Sequence, residues 1–186
     1  MNEPYWWYIL FVRAGAEHRV VNDLRRFFAH SGIPYETDPF CPESECYYRS
    51  KELRKLGKNY IRRPLFPGYV FLETNMPADE FIGQAGRYIY ASSDIIRLLK
   101  YGESDEIAMP ENERKRFEFL LRGKRCIERS VGYIEGDVIH IEGGALVGLE
   151  ALITKIDRHN RSATVELDMF GRRVTTRVPL EIVSKS

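Results

Sequence analysis

The hydrophobic pattern first predicts a buried strand near the start of the chain. Residues 5–13 are almost entirely aromatic or aliphatic, and the run is too short to span a membrane. After Ala14-Gly15, apolar residues return with the spacing of one helical face, at Val20, Val21, Leu24, Phe27 and Phe28. This spacing predicts a helix that ends near Gly32.

Two further helices and two further strands are predicted before residue 123. The helices cover residues 77–86 and 110–123, because a proline begins each segment and a glycine ends it. The strands cover residues 69–72 and 94–101, which are rich in aliphatic and aromatic side chains. The alternation of strands and helices over residues 5–122 predicts a mixed α/β domain.

The pattern changes after residue 122. Residues 123–130 are charged and polar, and we interpret them as a linker. Residues 131–186 have no helical period and instead carry short β-branched runs between turns, at 138–141, 152–156, 163–167 and 172–178. Four or five strands in so short a segment predict a small closed barrel, because an open sheet would expose its edges. The predicted domains are therefore 1–122 and 131–186.

Charge and cysteine content narrow the possible classes of protein. The 186 residues carry 28 basic and 27 acidic side chains, a formal charge of +1, which excludes a uniformly basic nucleic-acid wrapper. Three cysteines fit reduced thiols better than a disulfide framework. No apolar run has the length of a membrane span and no secretion signal is recognised, so we expect a cytoplasmic protein.

Basic residues cluster in one segment, residues 49–63, where seven cations accompany a single acid, Glu52. We interpret this segment as a loop or hairpin tip around Gly57. Two explanations stay open, a solvated surface and a surface that contacts phosphates. The candidate nucleic-acid-binding residues here are Lys51, Arg54, Lys55 and Lys58.

No constellation of residues predicts an enzyme. The four histidines are scattered, and Cys41 and Cys46 have no second pair that would complete a metal site. No glycine-rich phosphate loop or nucleophile elbow is present. We interpret Glu17 and His18 as a solvated pair at the start of a helix. We therefore expect no catalytic residue, no metal and no cofactor.

Three blocks of sequence resemble the NusG family. Residues 7–11, followed by Gly15 and a helix, are similar to the start of its NGN domain, and residues 64–71 are similar to its Phe-Pro-Gly-Tyr-Val block. Residues 136–153 are similar to its KOW motif. The order and spacing of the blocks match the family over nearly the whole chain. The resemblance implies an α+β fold, with a ferredoxin-like α/β NGN domain followed by a small SH3-like β-barrel, the KOW domain.

Two departures from the family pattern resemble its specialised members. The KOW motif usually carries glycine where this chain has Ala151, and proline where it has Ala145. Together with the Pro-Leu-Phe-Pro sequence before an aromatic strand, these residues are similar to the antitermination paralogues of the LoaP and RfaH type, and to LoaP more closely. The resemblance therefore implies an operon-specific antitermination factor.

The resemblance also implies a binding surface for RNA polymerase. In this family the NGN domain binds the clamp helices of the largest catalytic subunit through an apolar patch and disfavours pausing. The matching positions are Tyr8, Phe11, Phe66, Tyr69, Phe71 and Leu98. Several exposed aromatic side chains would mark a partner surface, whereas the competing interpretation is that they belong to the core. A KOW-type RNA-binding or ribosome-associated protein that never binds polymerase is the alternative function.

The C-terminal domain offers a second candidate surface. In residues 172–178 the valines are expected to face inward, which directs the arginines between them outward. The candidate nucleic-acid-binding residues of this domain are Lys155, Arg158, Arg161, Arg172, Arg173 and Arg177. The resemblance implies a leader RNA hairpin as partner, and a ribosomal protein or the termination factor Rho is the alternative. We expect a monomer, and we expect strands here rather than helices, because β-branched residues and glycine turns dominate.

Overall fold

The structure is a computed structural model that describes residues 5–48, 55, 57, 59–102 and 105–183. The chain divides into two compact units. The first unit comprises residues 1–42 and 66–114, and the second comprises residues 43–65 and 115–186. The domain bounds expected from the sequence, 1–122 and 131–186, differ from this division and stay a prediction for the two family domains.

Strands dominate the described residues. Along the chain they are β1 (Trp6–Val12), β2 (Thr37–Phe40), β3 (Glu43–Tyr47), β4 (Tyr60–Pro64), β5 (Tyr69–Thr74), β6 (Ile95–Leu98), β7 (Cys126–Ile127), β8 (Ser130–Glu135), β9 (Val138–Gly143), β10 (Ile153–Asp157), β11 (Ser162–Met169) and β12 (Arg172–Ile182). The α-helices are α1 (Glu17–His30), α2 (Ala78–Ala91) and α3 (Glu111–Leu121), and a short 3-10 helix covers Glu150–Leu152.

The first unit contains a four-stranded antiparallel sheet in the order β2-β5-β1-β6. One face of the sheet packs with the apolar faces of α1 and α2 in a single buried cluster. The helix α1 contributes Val20, Val21 and Leu24 to this cluster, as its spacing predicted. The helix α2 extends past the expected end at Gly86, because Phe81, Ala85 and Ile89 continue one buried stripe to its last turn.

The second unit contains a five-stranded sheet in the order β10-β11-β12-β8-β9 and a three-stranded sheet in the order β4-β3-β7. Alternate residues of β11 are buried, at Ala163, Val165, Leu167 and Met169, which is the pattern of a half-buried strand. The strands predicted for this part of the chain are thus confirmed. The expected linker contains a strand, because β7 pairs in parallel with β3.

The described part of the chain contains no helix that is both long and apolar enough to cross a membrane. Within the same residues, no group of three or more histidine, cysteine and carboxylate side chains is placed to hold a metal ion.

Candidate functional site

The turn before β5 is shaped by a glycine in a left-handed conformation. Gly68 has φ +86°, and its carbonyl accepts a 2.8 Å hydrogen bond from the amide of Val12. A Cβ at this position would lie 3.3 Å from both the Phe11 ring and the Val12 carbonyl oxygen. The amide of Tyr69 donates to the carbonyl of Phe66 at 3.2 Å, which closes the turn. The left-handed conformation therefore favours glycine here, and a side chain would also crowd Phe11 and Val12.

The side chain of Glu17 holds the same turn from the start of α1. Its carboxylate oxygen Oε1 accepts a 2.7 Å hydrogen bond from the amide of Gly68. Glu17 is only 2% exposed, so the expectation of a solvated Glu17–His18 pair is wrong for the glutamate. The sequence offered no local sign of this contact, because Gly68 lies 51 residues further along the chain.

The turn places Tyr69 in a row of side chains across three strands. Tyr69 of β5 is the register partner of Phe11 of β1, and Phe11 is the partner of Arg97 of β6. The rings of Phe11 and Tyr69 lie 5.3 Å apart, and the Arg97 guanidinium lies 5.8 Å from the Phe11 ring centre. Both rings are partly exposed and Arg97 is exposed. We call these three residues the Phe11–Tyr69 surface.

Four of the six predicted polymerase-binding residues are buried. Tyr8 and Phe71 have no exposed surface, Leu98 is 5% exposed and Phe66 is 6% exposed. The expectation that these four form an exposed patch is wrong. Tyr8 and Leu98 belong to the buried cluster with α1 and α2, while Phe71 packs edge-on against Trp7 and beside Phe40. Only Phe11 and Tyr69 remain accessible to a partner.

Tyr8 has a structural role in this core. Its hydroxyl donates a 2.7 Å hydrogen bond to the carbonyl of Met76. Burial raises the pKa of Tyr8 above the ordinary value, and the nearby carboxylates of Glu106 and Asp79 act in the same direction. The phenol is therefore held protonated and bonded within the first unit.

The candidate cations of the basic segment are only partly within the described residues. Lys51, Arg54 and Lys58 lie outside them, so the structure neither places nor tests these three. Lys55 is described and is exposed.

The candidate cations of the second unit fall into two groups. Lys155, Arg158, Arg172 and Arg177 are exposed and form no ion pair with another described residue. The other two form ion pairs: Arg161 lies 2.9 Å from Glu181, which also pairs with Arg129, and Arg173 lies 3.3 Å from Glu166 and 3.8 Å from Asp168. The outward direction predicted for Arg173 and Arg177 is confirmed, because both are exposed on β12.

Three exposed side chains that the sequence did not single out are Arg97, Arg63 and Tyr48. Arg97 was part of a predicted strand, but its place beside Phe11 depends on the pairing of β1 with β6. Tyr48 follows β3 and is 41% exposed, and Arg63 of β4 is also exposed. The only sequence signal for these two was the aromatic and basic content of the hairpin segment.

Comparisons with known proteins agree on one family. The family model described as transcription termination factor nusG matches residues 5–118. The chain is similar to the transcription termination/antitermination protein NusG of Thermus thermophilus, with 23% identity over 97% of this chain and 98% of that protein. It is also similar to the protein of the same description from Treponema pallidum, with 26% identity over 95% of both chains.

A solved structure supports the fold. The structure titled "Domain interaction in Thermotoga maritima NusG" matches with a TM-score of 0.54 and 20% identity, over 96% of this chain and 94% of that chain. At this level of identity the likeness concerns the fold alone, and it agrees with an α/β unit together with a unit rich in strands.

Proposed function

The chain belongs to the NusG family of transcription termination and antitermination factors, and from this premise we propose that its Phe11–Tyr69 surface binds the clamp helices of RNA polymerase. The observation that carries the proposal is the row formed by Tyr69, Phe11 and Arg97. Two neighbouring aromatic rings left partly exposed at one place on this sheet suit an apolar contact with a helix surface.

The geometry of the turn supports this use of the surface. Gly68 is fixed by Glu17 on one side and by Val12 on the other, so the following residue, Tyr69, is held in place before any partner arrives. A rigid aromatic side chain loses little conformational entropy on binding, which is typical of residues that dominate an interface. Arg97 adds a positive charge beside the rings, which favours an acidic residue on the partner.

Such binding needs no chemical step by the protein. If the surface binds the elongating conformation of polymerase more tightly than the paused one, occupancy of the pause falls. A difference of about 1–2 kcal/mol changes this equilibrium roughly tenfold. We propose that the protein works in this way, as a monomer in the cytoplasm.

We further propose that the second unit contacts RNA, so that the effect is specific to certain operons. Lys155, Arg158, Arg172 and Arg177 supply exposed positive charges for the phosphates of a leader RNA hairpin. A ribosomal protein or Rho is the alternative partner of this unit. A gel shift with leader RNA separates the two: RNA binding at physiological salt supports our proposal, and its absence favours the protein partner.

Transcription through a terminator in vitro tests the function as a whole. We expect the wild-type protein to increase read-through, and we expect Tyr69→Ala to lose most of that increase. Tyr90→Ala, which removes a tyrosine 64% exposed on α2, is the matched control and should act like wild type. If the protein binds RNA but changes neither pausing nor read-through, the alternative of an RNA-binding or ribosome-associated KOW protein gains support.

A further inference from the structure

A cavity of about 440 Å³ lies within the second unit, between the β3–β4 hairpin and the strands β11 and β12. Cys46, Tyr48, Ile61 and Arg63 line it from the hairpin, and Arg177 and Pro179 line it from β12. Cys46 and Ile61 are register partners and form its apolar floor. The cavity therefore has a mixed lining, in which an apolar strip lies beside an aromatic side chain and several polar and cationic groups.

Tyr48 is the aromatic side chain free to meet a ligand. It is 41% exposed, and its ring makes no aromatic contact with another described residue. Its backbone is anchored, because its amide donates a 2.9 Å hydrogen bond to the carbonyl of Asn59. The neighbouring Tyr47 is already engaged: the Arg161 guanidinium lies 4.5 Å from its ring centre, and the Tyr60 ring lies 5.6 Å away.

Arg63 and Arg177 supply the positive charge of the cavity. Both are exposed, and neither forms an ion pair within the described part of the chain. Burial raises the pKa of Cys46, and both guanidinium groups act to lower it, so both charges lie near the same thiol.

The other charged groups of the described lining leave the cavity with a net positive charge, because its arginines outnumber its acids. Arg161 is paired with Glu181 at 2.9 Å. Among the described residues of the wall the one acid is Glu45, which offsets part of the positive charge, and its Oε2 accepts a 3.4 Å hydrogen bond from the amide of Arg129. The cavity is therefore suited to an anionic ligand.

We propose that this cavity binds a single-stranded segment of nucleic acid, with one unpaired base stacked on Tyr48 and the adjacent phosphates bound by Arg63 and Arg177. Stacking on an exposed ring beside unpaired arginines is how sequence-tolerant single-strand sites work. A duplex would hide its base faces from Tyr48, and an acidic peptide would engage the arginines but not the ring. The inference rests on the nucleic-acid contact proposed above, and it specifies that base stacking and phosphate binding make that contact.

Fluorescence anisotropy with the full chain tests the site. The probes are labelled RNA and DNA single strands of about 12 nucleotides, and an abasic strand of equal length and charge. The variants Tyr48→Leu, Tyr48→Phe, Arg63→Gln and Arg177→Gln are compared with wild type. Tyr90→Leu and Arg87→Gln change an exposed tyrosine and an exposed arginine on α2 and serve as matched controls.

We expect Tyr48→Leu to weaken binding of single strands by at least about fivefold and to leave the abasic strand unaffected, because a stacked base is lost. Tyr48→Phe should bind like wild type. Each of Arg63→Gln and Arg177→Gln should reduce the slope of log K against log salt by about 0.7, because one phosphate contact is removed. Tighter binding of RNA points to the transcript, and tighter binding of DNA points to a displaced strand; both support the site.

Two results would overturn the inference. In the first, Tyr48→Leu binds single strands as tightly as wild type does. In the second, Tyr48→Leu weakens binding of the abasic strand by the same factor as binding of the ordinary strand. Failure of the wild-type chain to bind any single strand would also overturn it and would leave the cavity to a protein partner. Binding of the Tyr48 and arginine variants to a purified clamp-helix fragment is measured in parallel. If that binding is intact, failure of the nucleic-acid site leaves the polymerase proposal standing.

Discussion

The amide of Gly68 donates a 2.7 Å hydrogen bond to Oε1 of Glu17, a carboxylate buried at the start of α1. This bond joins a helix to a turn that is distant in sequence. The turn determines where β5 begins, and β5 begins with Tyr69, one of the two aromatic side chains of the proposed polymerase surface. A buried carboxylate thus helps to position a partly exposed aromatic ring.

Loss of the Glu17 carboxylate should destabilise the protein. In Glu17→Ala the Gly68 amide is left buried without this acceptor, which costs about 1–3 kcal/mol. We expect Glu17→Gln to cost less, because its amide oxygen can still accept the bond. Urea denaturation measures both, with Glu142→Ala as the control, since Glu142 is exposed on β9. Equal stability of Glu17→Ala and Glu142→Ala would contradict the role given to Glu17.

Two glycine-to-alanine substitutions should change stability in opposite directions. Gly68→Ala places a Cβ in a left-handed conformation and close to Phe11 and Val12, so we expect a loss of about 1 kcal/mol or more. Gly83 lies within α2 with open space around it, and Gly83→Ala should stabilise the helix by up to about 1 kcal/mol. Thermal unfolding of the two variants measures the difference. A stabilising effect of Gly68→Ala would show that the turn does not need its present conformation.

Stability should decline at high pH in a way that depends on Tyr8. Because burial raises the pKa of Tyr8 above the ordinary value of 10.0, the folded protein keeps a proton that the unfolded chain releases. The stabilisation that comes from the raised pKa of Tyr8 is complete below pH 10 and is lost as the pH rises further. Tyr8→Phe should therefore be less stable than wild type at pH 8, because the bond to Met76 is lost, and should lose less additional stability between pH 9 and pH 11.

Urea denaturation at several pH values measures this dependence. Tyr101 provides an internal reference, because its pKa is also raised, mainly by burial and further by Glu113, and it is unchanged in the Tyr8 variant. If the free energy of unfolding falls equally for wild type and Tyr8→Phe between pH 9 and pH 11, ionisation of Tyr8 does not contribute to the loss of stability.

The secondary structure was largely predictable from periodicity. Val20, Val21 and Leu24 predicted α1 because a helix buries residues at this spacing. A β-branched run between turns predicted β11, and the alternating valines predicted β12. The strand β7 was not predictable, since two residues cannot show a period. It forms through its pairing with β3, a contact distant in sequence.

The site was predictable only in part. The family resemblance indicated which aromatic positions to consider, but exposure depends on packing. Phe71 lies on the same strand as Tyr69, two residues further on, and is fully buried because Trp7 and Phe40 pack against it. Tyr69 stands nearer the strand end, where its ring contacts Phe11 and stays partly open. Sequence pattern alone cannot distinguish these two residues.

The affinity of a purified clamp-helix fragment of RNA polymerase for the full chain tests the central claim most directly. We predict that Tyr69→Ala weakens binding about tenfold or more, as expected for a central aromatic contact, while Tyr90→Ala leaves it unchanged. Arg97→Glu should also weaken binding. Because Arg97 is exposed and both rings stay in place, misfolding would not explain that loss. If folded Tyr69→Ala and Arg97→Glu both bind the fragment as wild type does, the Phe11–Tyr69 surface is not the polymerase-binding site.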